Sequence, residues 1–151
     1  MHQTHMIIDG EQLPISSHKV ETIYNPANQE PVALVSVGTR QDARTALVAA
    51  KKAFPLWSET ACEKRAELLH SAADLVRERA KSIARLLTQE QGKPLKNARA
   101  EILSSAGILD YYAEEGRRNV GEWLATSRGR SVVLRQPVGV VGAIVPFNFP
   151  M

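Results

Sequence analysis

The residue types best suited to chemistry stand where V-G-A-I-V-P-F-N-F-P-M occupies positions 141–151. Asn148 is a neutral amide set between Phe147 and Phe149, with Pro146 and Pro150 outside them. Proline fixes φ, so the backbone is stiffened on both sides, and the rings exclude water. A carboxamide held in this way donates hydrogen bonds without changing ionisation, which suits stabilising charge that develops on a carbonyl oxygen. The same sequence also fits a turn asparagine that bonds its own backbone.

Other reactive groups have less around them. Cys62 is the single thiol, and it falls near the start of a predicted helix. Its nearest histidine, His70, is two turns away, and an inert cysteine fits that arrangement. His2, His5, His18 and His70 do not have metal-ligand spacing. Gly139 and Gly142 form G-V-V-G-A, which is not the G-x-G-x-x-G phosphate loop, and close packing accounts for them. In E-Q-G-K-P, residues 90–94, Lys93 reads as a cation set near the last carbonyls of a helix.

The elements that position these residues follow from periodicity. I-I-D-G-E predicts a strand entering a turn at Asp9-Gly10, and two strand-like runs flank the turn at 25–28. Thr39 with Asp42 resembles a capping pair for a helix carrying Ala43, Leu47, Ala50 and Phe54, which Pro55 should end. Thr60 with Glu63 predicts a capping box for a long second helix. Its apolar face would hold Leu68, Leu69, Ala72, Leu75, Val76, Ile83 and Leu87, with Gly92 as its stop. A third helix is expected from about 97 to 115, with Ile102, Ala106, Leu109 and Ala113 inward and Gly116 as terminator. Val132–Leu134 reads as a strand. Gly139–Val145 reads as a parallel strand covered on both faces. Such a strand needs parallel neighbours that residues 1–151 do not supply, which gives the expectation that they are the front piece of a longer protein.

Composition bounds the class. An apolar fraction of 44% and a charged fraction of 23% are those of a globular chain, and 5% aromatic content argues against a base-stacking nucleic-acid surface. The net charge is +3, and it is concentrated between 116 and 136, where Arg117, Arg118, Arg128, Arg130 and Arg135 face Glu122 alone. These arginines form no helical stripe, so a solvated rim or a subunit contact is expected in preference to a nucleic-acid partner. A single cysteine makes a reducing compartment the default, and the N-terminus lacks a signal-peptide pattern, so a cytoplasmic protein is expected. The uncharged stretch 136–151 is too short and too proline-rich to span a membrane.

Several segments together resemble the N-terminal part of the aldehyde dehydrogenase superfamily. They are I-Y-N-P-A-N, A-A-K-K-A-F-P-L-W, R-A-E-L-L-H-S-A-A-D-L, L-L-T-Q-E-Q-G-K-P and, most specific, Q-P-V-G-V-V-G-A-I-V-P-F-N-F-P-M. The resemblance implies an α/β fold: a β-hairpin, three helices, then the first inner strand of a Rossmann-like sheet. It implies that 1–151 belong to the cofactor-binding domain, with a short oligomerisation strand near 131–136, and that the catalytic domain lies outside this chain. It implies oxidation of a small-molecule aldehyde to a carboxylic acid with NAD or NADP, or to acyl-coenzyme A in some branches, by a homo-oligomer (dimer or tetramer). In the family a cysteine thiolate attacks the aldehyde, hydride passes to the nicotinamide and the thioester is hydrolysed. Asn148 falls on the family's oxyanion-hole asparagine. Ile144, Val145, Pro146 and Phe147 fall on the segment bordering the cofactor. Tyr24 and Glu90 fall on positions that help ligate a monovalent cation in some relatives. Phe147 stands where tryptophan is usual, as in several branches that oxidise semialdehydes and hydroxyaldehydes. The nucleophilic cysteine and general-base glutamate are absent, Cys62 does not match the nucleophile, and residues 1–151 alone are expected to be inactive. The alternative is a non-catalytic binding or assembly module built on the same family's front end.

Overall fold

The computed structural model describes residues 2–14 and 19–151; His18 lies outside them. The chain begins with short strands, β1 (His2–Thr4), β2 (Ile7–Ile8) and β3 (Glu11–Gln12). Strands β2 and β3 pair antiparallel around Asp9 and Gly10, whose φ values of 56° and 79° are what a two-residue hairpin turn of this hand requires. Strand β4 (Lys19–Tyr24) pairs antiparallel with β5 (Pro31–Val37), and β1 adds in parallel to give the order β1-β5-β4. The 25–28 turn is tied by the Asn25 side chain, which accepts the Ala27 N–H at 3.0 Å. Both N-terminal histidines are engaged: His2 pairs with Ala33, and His5 Nδ1 bonds with the Leu13 carbonyl at 3.1 Å.

Helix α1 (Arg40–Glu59) opens on a true capping box. Thr39 Oγ1 accepts the Asp42 N–H at 3.2 Å, and the Asp42 carboxylate accepts the Thr39 N–H at 2.7 Å. Pro55 does not end α1 but sits inside its last turn. The helix closes beyond it because Ser58 donates to Pro55 O at 2.8 Å and Thr60 Oγ1 donates to Leu56 O at 2.7 Å. The expected second capping box is therefore absent. Thr60 closes α1, and α2 (Cys62–Gln91) starts at Ala61 with no side-chain cap.

Helix α2 turns back into α3 (Leu95–Arg118) through Gly92, whose left-handed φ of 75° ends α2. The seam between them is made of small residues. Ala66, Ala73, Ala80, Ala84 and Leu87 of α2 are buried, as are Ala98, Ile102, Ala106 and Ala113 of α3. Alanines let the two backbones approach closely, so the buried stripe is not the leucine face expected from periodicity. Leu68 and Leu75 are half exposed, while Val76 and Ile83 pack beside the core. Gly116 does not stop α3. Arg117 pairs with Glu114 at 3.4 Å and Arg118 with Glu115 at 2.7 Å, and these cations also suit the helix C-terminus.

Beyond α3, β6 (Glu122–Thr126) and β7 (Gly129–Val133) form an exposed antiparallel hairpin, so the strand expected at Val132–Leu134 is the second arm of a ribbon. Gly121 is needed at its base, since a Cβ there would lie 2.2 Å from Val133 O. The segment Gly139–Val145, expected as an inner strand whose parallel neighbours residues 1–151 do not supply, has no strand partner among the described residues. That segment has no strand pairing, Gly139 has φ 107°, and Val141, Ile144 and Val145 are exposed. A ladder needs a partner edge, and no described strand is paired with this segment. Helix α1 likewise has no buried residue, so Leu47 and its apolar neighbours face outward.

Candidate active-site turn

Pro146–Phe149 form a turn, closed by Phe149 N–H donating to Pro146 O at 3.2 Å. Asn148 sits inside it and is exposed. Its carboxamide makes no hydrogen bond among the described residues, so the alternative of an asparagine bonding its own backbone is not what the side chain does. Its main chain, by contrast, is held from outside. Lys93 Nζ donates to Asn148 O at 2.5 Å, and Gln91 Nε2 donates to Phe147 O at 2.7 Å. Lys93 also bonds the Glu101 carboxylate, and its ammonium lies 4.2 Å from the centroid of the Phe149 ring. Glu101 Oε1 accepts the Met151 N–H at 3.4 Å.

This arrangement corrects the capping role expected for Lys93: its ammonium is engaged by Glu101 and the Asn148 carbonyl. Sequence reasoning passed over Glu101 and Gln91. The available signal was a carboxylate at 101 on the α3 stripe that otherwise carries Ala98, Ile102 and Ala106. A buried charge of this kind needs a partner.

The other expected positions are distributed as follows. Ile144, Val145, Pro146 and Phe147 form one exposed apolar run leading into the Asn148 turn. Tyr24 and Glu90 belong to elements that meet, because the 25–28 turn packs Pro26 against Gly92, 3.0 Å from where a Cβ would stand. Tyr24 is half exposed, and desolvation holds the Glu90 carboxyl above its usual range. Among the described residues there is no group of three or more His, Cys, Asp or Glu that could hold a metal ion. Cys62 is half buried at the first position of α2, far along the chain from the Asn148 turn.

A second polar cluster joins the far ends of α2 and α3. His70 Nδ1 lies 2.7 Å from Asp110 Oδ1 and His70 Nε2 2.9 Å from Glu114 Oε1, while Arg77 also pairs with Asp110. Bonds to Glu114 and then Asp110 raise the His70 pKa. Arg77 first and His70 second lower that of Asp110.

Comparison with known proteins gives this architecture its class. The chain superimposes on an Escherichia coli NADP-dependent enzyme with a TM-score of 0.93 at 35% identity, covering 99% of this chain and 31% of that one. A Staphylococcus aureus betaine aldehyde dehydrogenase bound to NAD+ matches with a TM-score of 0.89 at 33% identity, over 97% of this chain and 30% of that one. The model of the aldehyde dehydrogenase family matches residues 15–151, and the chain belongs to that family. Among curated relatives, the succinate-semialdehyde dehydrogenase [NADP(+)] of Escherichia coli is 36% identical over 146 residues, 95% of this chain and 30% of the relative. The mitochondrial succinate-semialdehyde dehydrogenase of Rattus norvegicus is 41% identical over 130 residues, 85% of this chain and 25% of the relative. The chain thus spans about 30% of the length of such relatives, their N-terminal part. No described helix is long and apolar enough to cross a membrane.

Proposed function

We propose that this chain is the N-terminal part of the cofactor-binding side of an NAD(P)-dependent aldehyde dehydrogenase, with Asn148 stabilising the oxyanion. The observation that carries the reading is a free carboxamide on a turn whose main chain is fixed from three sides. When a thiolate adds to an aldehyde carbon, the carbonyl oxygen takes up negative charge, and Asn148 Nδ2–H donates a hydrogen bond to it. A neutral donor suits this step because it acts at every working pH. The nucleophile and the general base come from residues outside these 151, in keeping with the share of the relatives that the chain spans.

The exposed apolar run Ile144–Phe147 suits a nicotinamide dinucleotide through van der Waals and main-chain contact. The cofactor, NAD or NADP, supplies the hydride acceptor. The substrate class is a short aldehyde carrying a terminal carboxylate, supported by the semialdehyde dehydrogenases among the relatives and by Phe147 in the tryptophan position. The β6–β7 ribbon, with Trp123, Leu124, Val132 and Val133 exposed, is the contact for a homo-oligomer. A cytoplasmic location remains part of this proposal.

The test is stoichiometric. The protein carrying this chain, mixed with succinic semialdehyde and NAD or NADP, should form one reduced nucleotide and one dicarboxylate per aldehyde. Absence of nucleotide reduction with that substrate and with betaine aldehyde would leave the assembly-module reading in its place.

A further inference from the structure

The turn bearing Asn148 is anchored by groups that the proposed reaction does not itself require. Glu101 projects from the α3 seam with its side chain only 4% exposed, and its partner Lys93 is 14% exposed. Neither end of this ion pair is needed for the helix seam, which is sealed by alanines and Ile102. A buried ion pair contributes little net stability against apolar replacements, so its presence calls for a use that an apolar pair would not serve. Both ends hold main chain of the turn. Lys93 donates to the carbonyl of Asn148 itself at 2.5 Å, and Glu101 accepts the Met151 N–H at 3.4 Å. Gln91 adds a bond to the carbonyl of Phe147 at 2.7 Å, and the Phe149 ring lies under the lysine ammonium at 4.2 Å. The residues on both sides of Asn148, and its own carbonyl, are therefore fixed to the α2–α3 junction, while its side chain is left free.

We propose that Lys93 and Glu101 are positioning residues: the pair holds the backbone of Asn148 so that its carboxamide meets the oxyanion, with Gln91 as a second tether. This rests on the oxyanion reading of Asn148. The inference assigns the α2–α3 junction to transition-state geometry, although it contains no group that touches the substrate. An oxyanion donor must stand at the position the oxygen takes in the transition state, and a displacement of about 1 Å can cost about 10²-fold in rate.

The experiment is a double-mutant cycle in the enzyme carrying this chain. Lys93→Met should lower kcat by about 10²-fold, with the aldehyde KM and the nucleotide Kd unchanged. Added to Asn148→Ala, it should lower kcat no further, because there is no longer a donor to position. Effects that multiply in the double variant, or a wild-type kcat in Lys93→Met, would overturn the proposal. Lys93→Met strands the Glu101 charge, so Lys93→Met combined with Glu101→Leu is measured beside it. That variant leaves no uncompensated charge and should show the same loss of kcat with a retained melting transition. Hydrogen exchange of the peptide covering 146–151 provides an arm independent of activity: it should accelerate in both Lys93 variants, and an unchanged rate would refute the anchor. An undiminished kcat in Asn148→Ala with accelerated exchange would instead refute the oxyanion reading and leave the anchor standing.

Discussion

At the scale of single residues, two side chains show opposite uses of hydrogen bonding. Asn148 keeps its amide free while Lys93 holds its carbonyl, and His70 uses both ring nitrogens. Only the imidazolium donates from both nitrogens, so bonds to Asp110 and Glu114 together favour the charged form. The folded pKa of His70 is raised above 6.5. Its stabilising effect is therefore complete below pH 6.5 and is lost as pH rises through the folded value. The carboxyls of Asp110 and Glu114 are lowered, so their contribution is present above their ordinary values of 3.8 and 4.5 and is lost as pH falls through the folded ones. The thermal midpoint should decline above pH 6.5, and His70→Gln should flatten that decline. The groups are partly open to solvent, so added salt should weaken the effect as well. A midpoint with the same slope in the variant would show that the bonds do not couple to folding.

At the scale of elements, the short-range signals were the legible ones. Asp9-Gly10, Thr39 with Asp42, and Gly92 each specify a backbone geometry that few other residues supply, and each is found where the sequence put it. Gly92→Ala would strain a left-handed φ and press a Cβ to 3.0 Å from Pro26, costing about 1–2 kcal/mol in a urea melt. The same midpoint in variant and parent would mean the 25–28 turn moves away freely. Signals with two readings were not legible. Thr60 serves α1 rather than α2, and Pro55 is tolerated because hydroxyls of Ser58 and Thr60 close the turn after it. The α2–α3 seam hid for a third reason. Hydrophobicity points to leucines, whereas close helix approach selects alanines, a preference that only the partner helix reveals. Ile102 is fully buried at the centre of that seam, and Ile102→Ala should cost about 2–5 kcal/mol by chemical denaturation. A loss well under that range would mean the helices close over the cavity.

At the scale of the whole molecule, the apolar content that composition assigns to a core is only partly buried. Ile144 is fully exposed, α1 buries nothing, and both arms of the β6–β7 ribbon are open. The strand pattern at 139–145 calls for parallel neighbours that residues 1–151 do not supply, and among the described residues the segment has no strand partner. The chain spans about 30% of the length of its relatives, and the exposed face lies along the run that leads into Asn148. Within that frame Asn148 stands out in the sequence as the candidate, whereas the groups that hold its turn do not. Lys93, Gln91 and Glu101 converge on the turn from 50 or more residues away in sequence. The proposed catalysis belongs to this scale, since it would need the turn, its anchors and the groups that face it together. The most direct test is kcat of Asn148→Ala against wild type in the enzyme carrying this chain, with hydride transfer or deacylation confirmed as limiting. A loss of roughly 10²–10³-fold at unchanged nucleotide affinity is expected from removing one oxyanion donor, and an unchanged kcat would contradict the account.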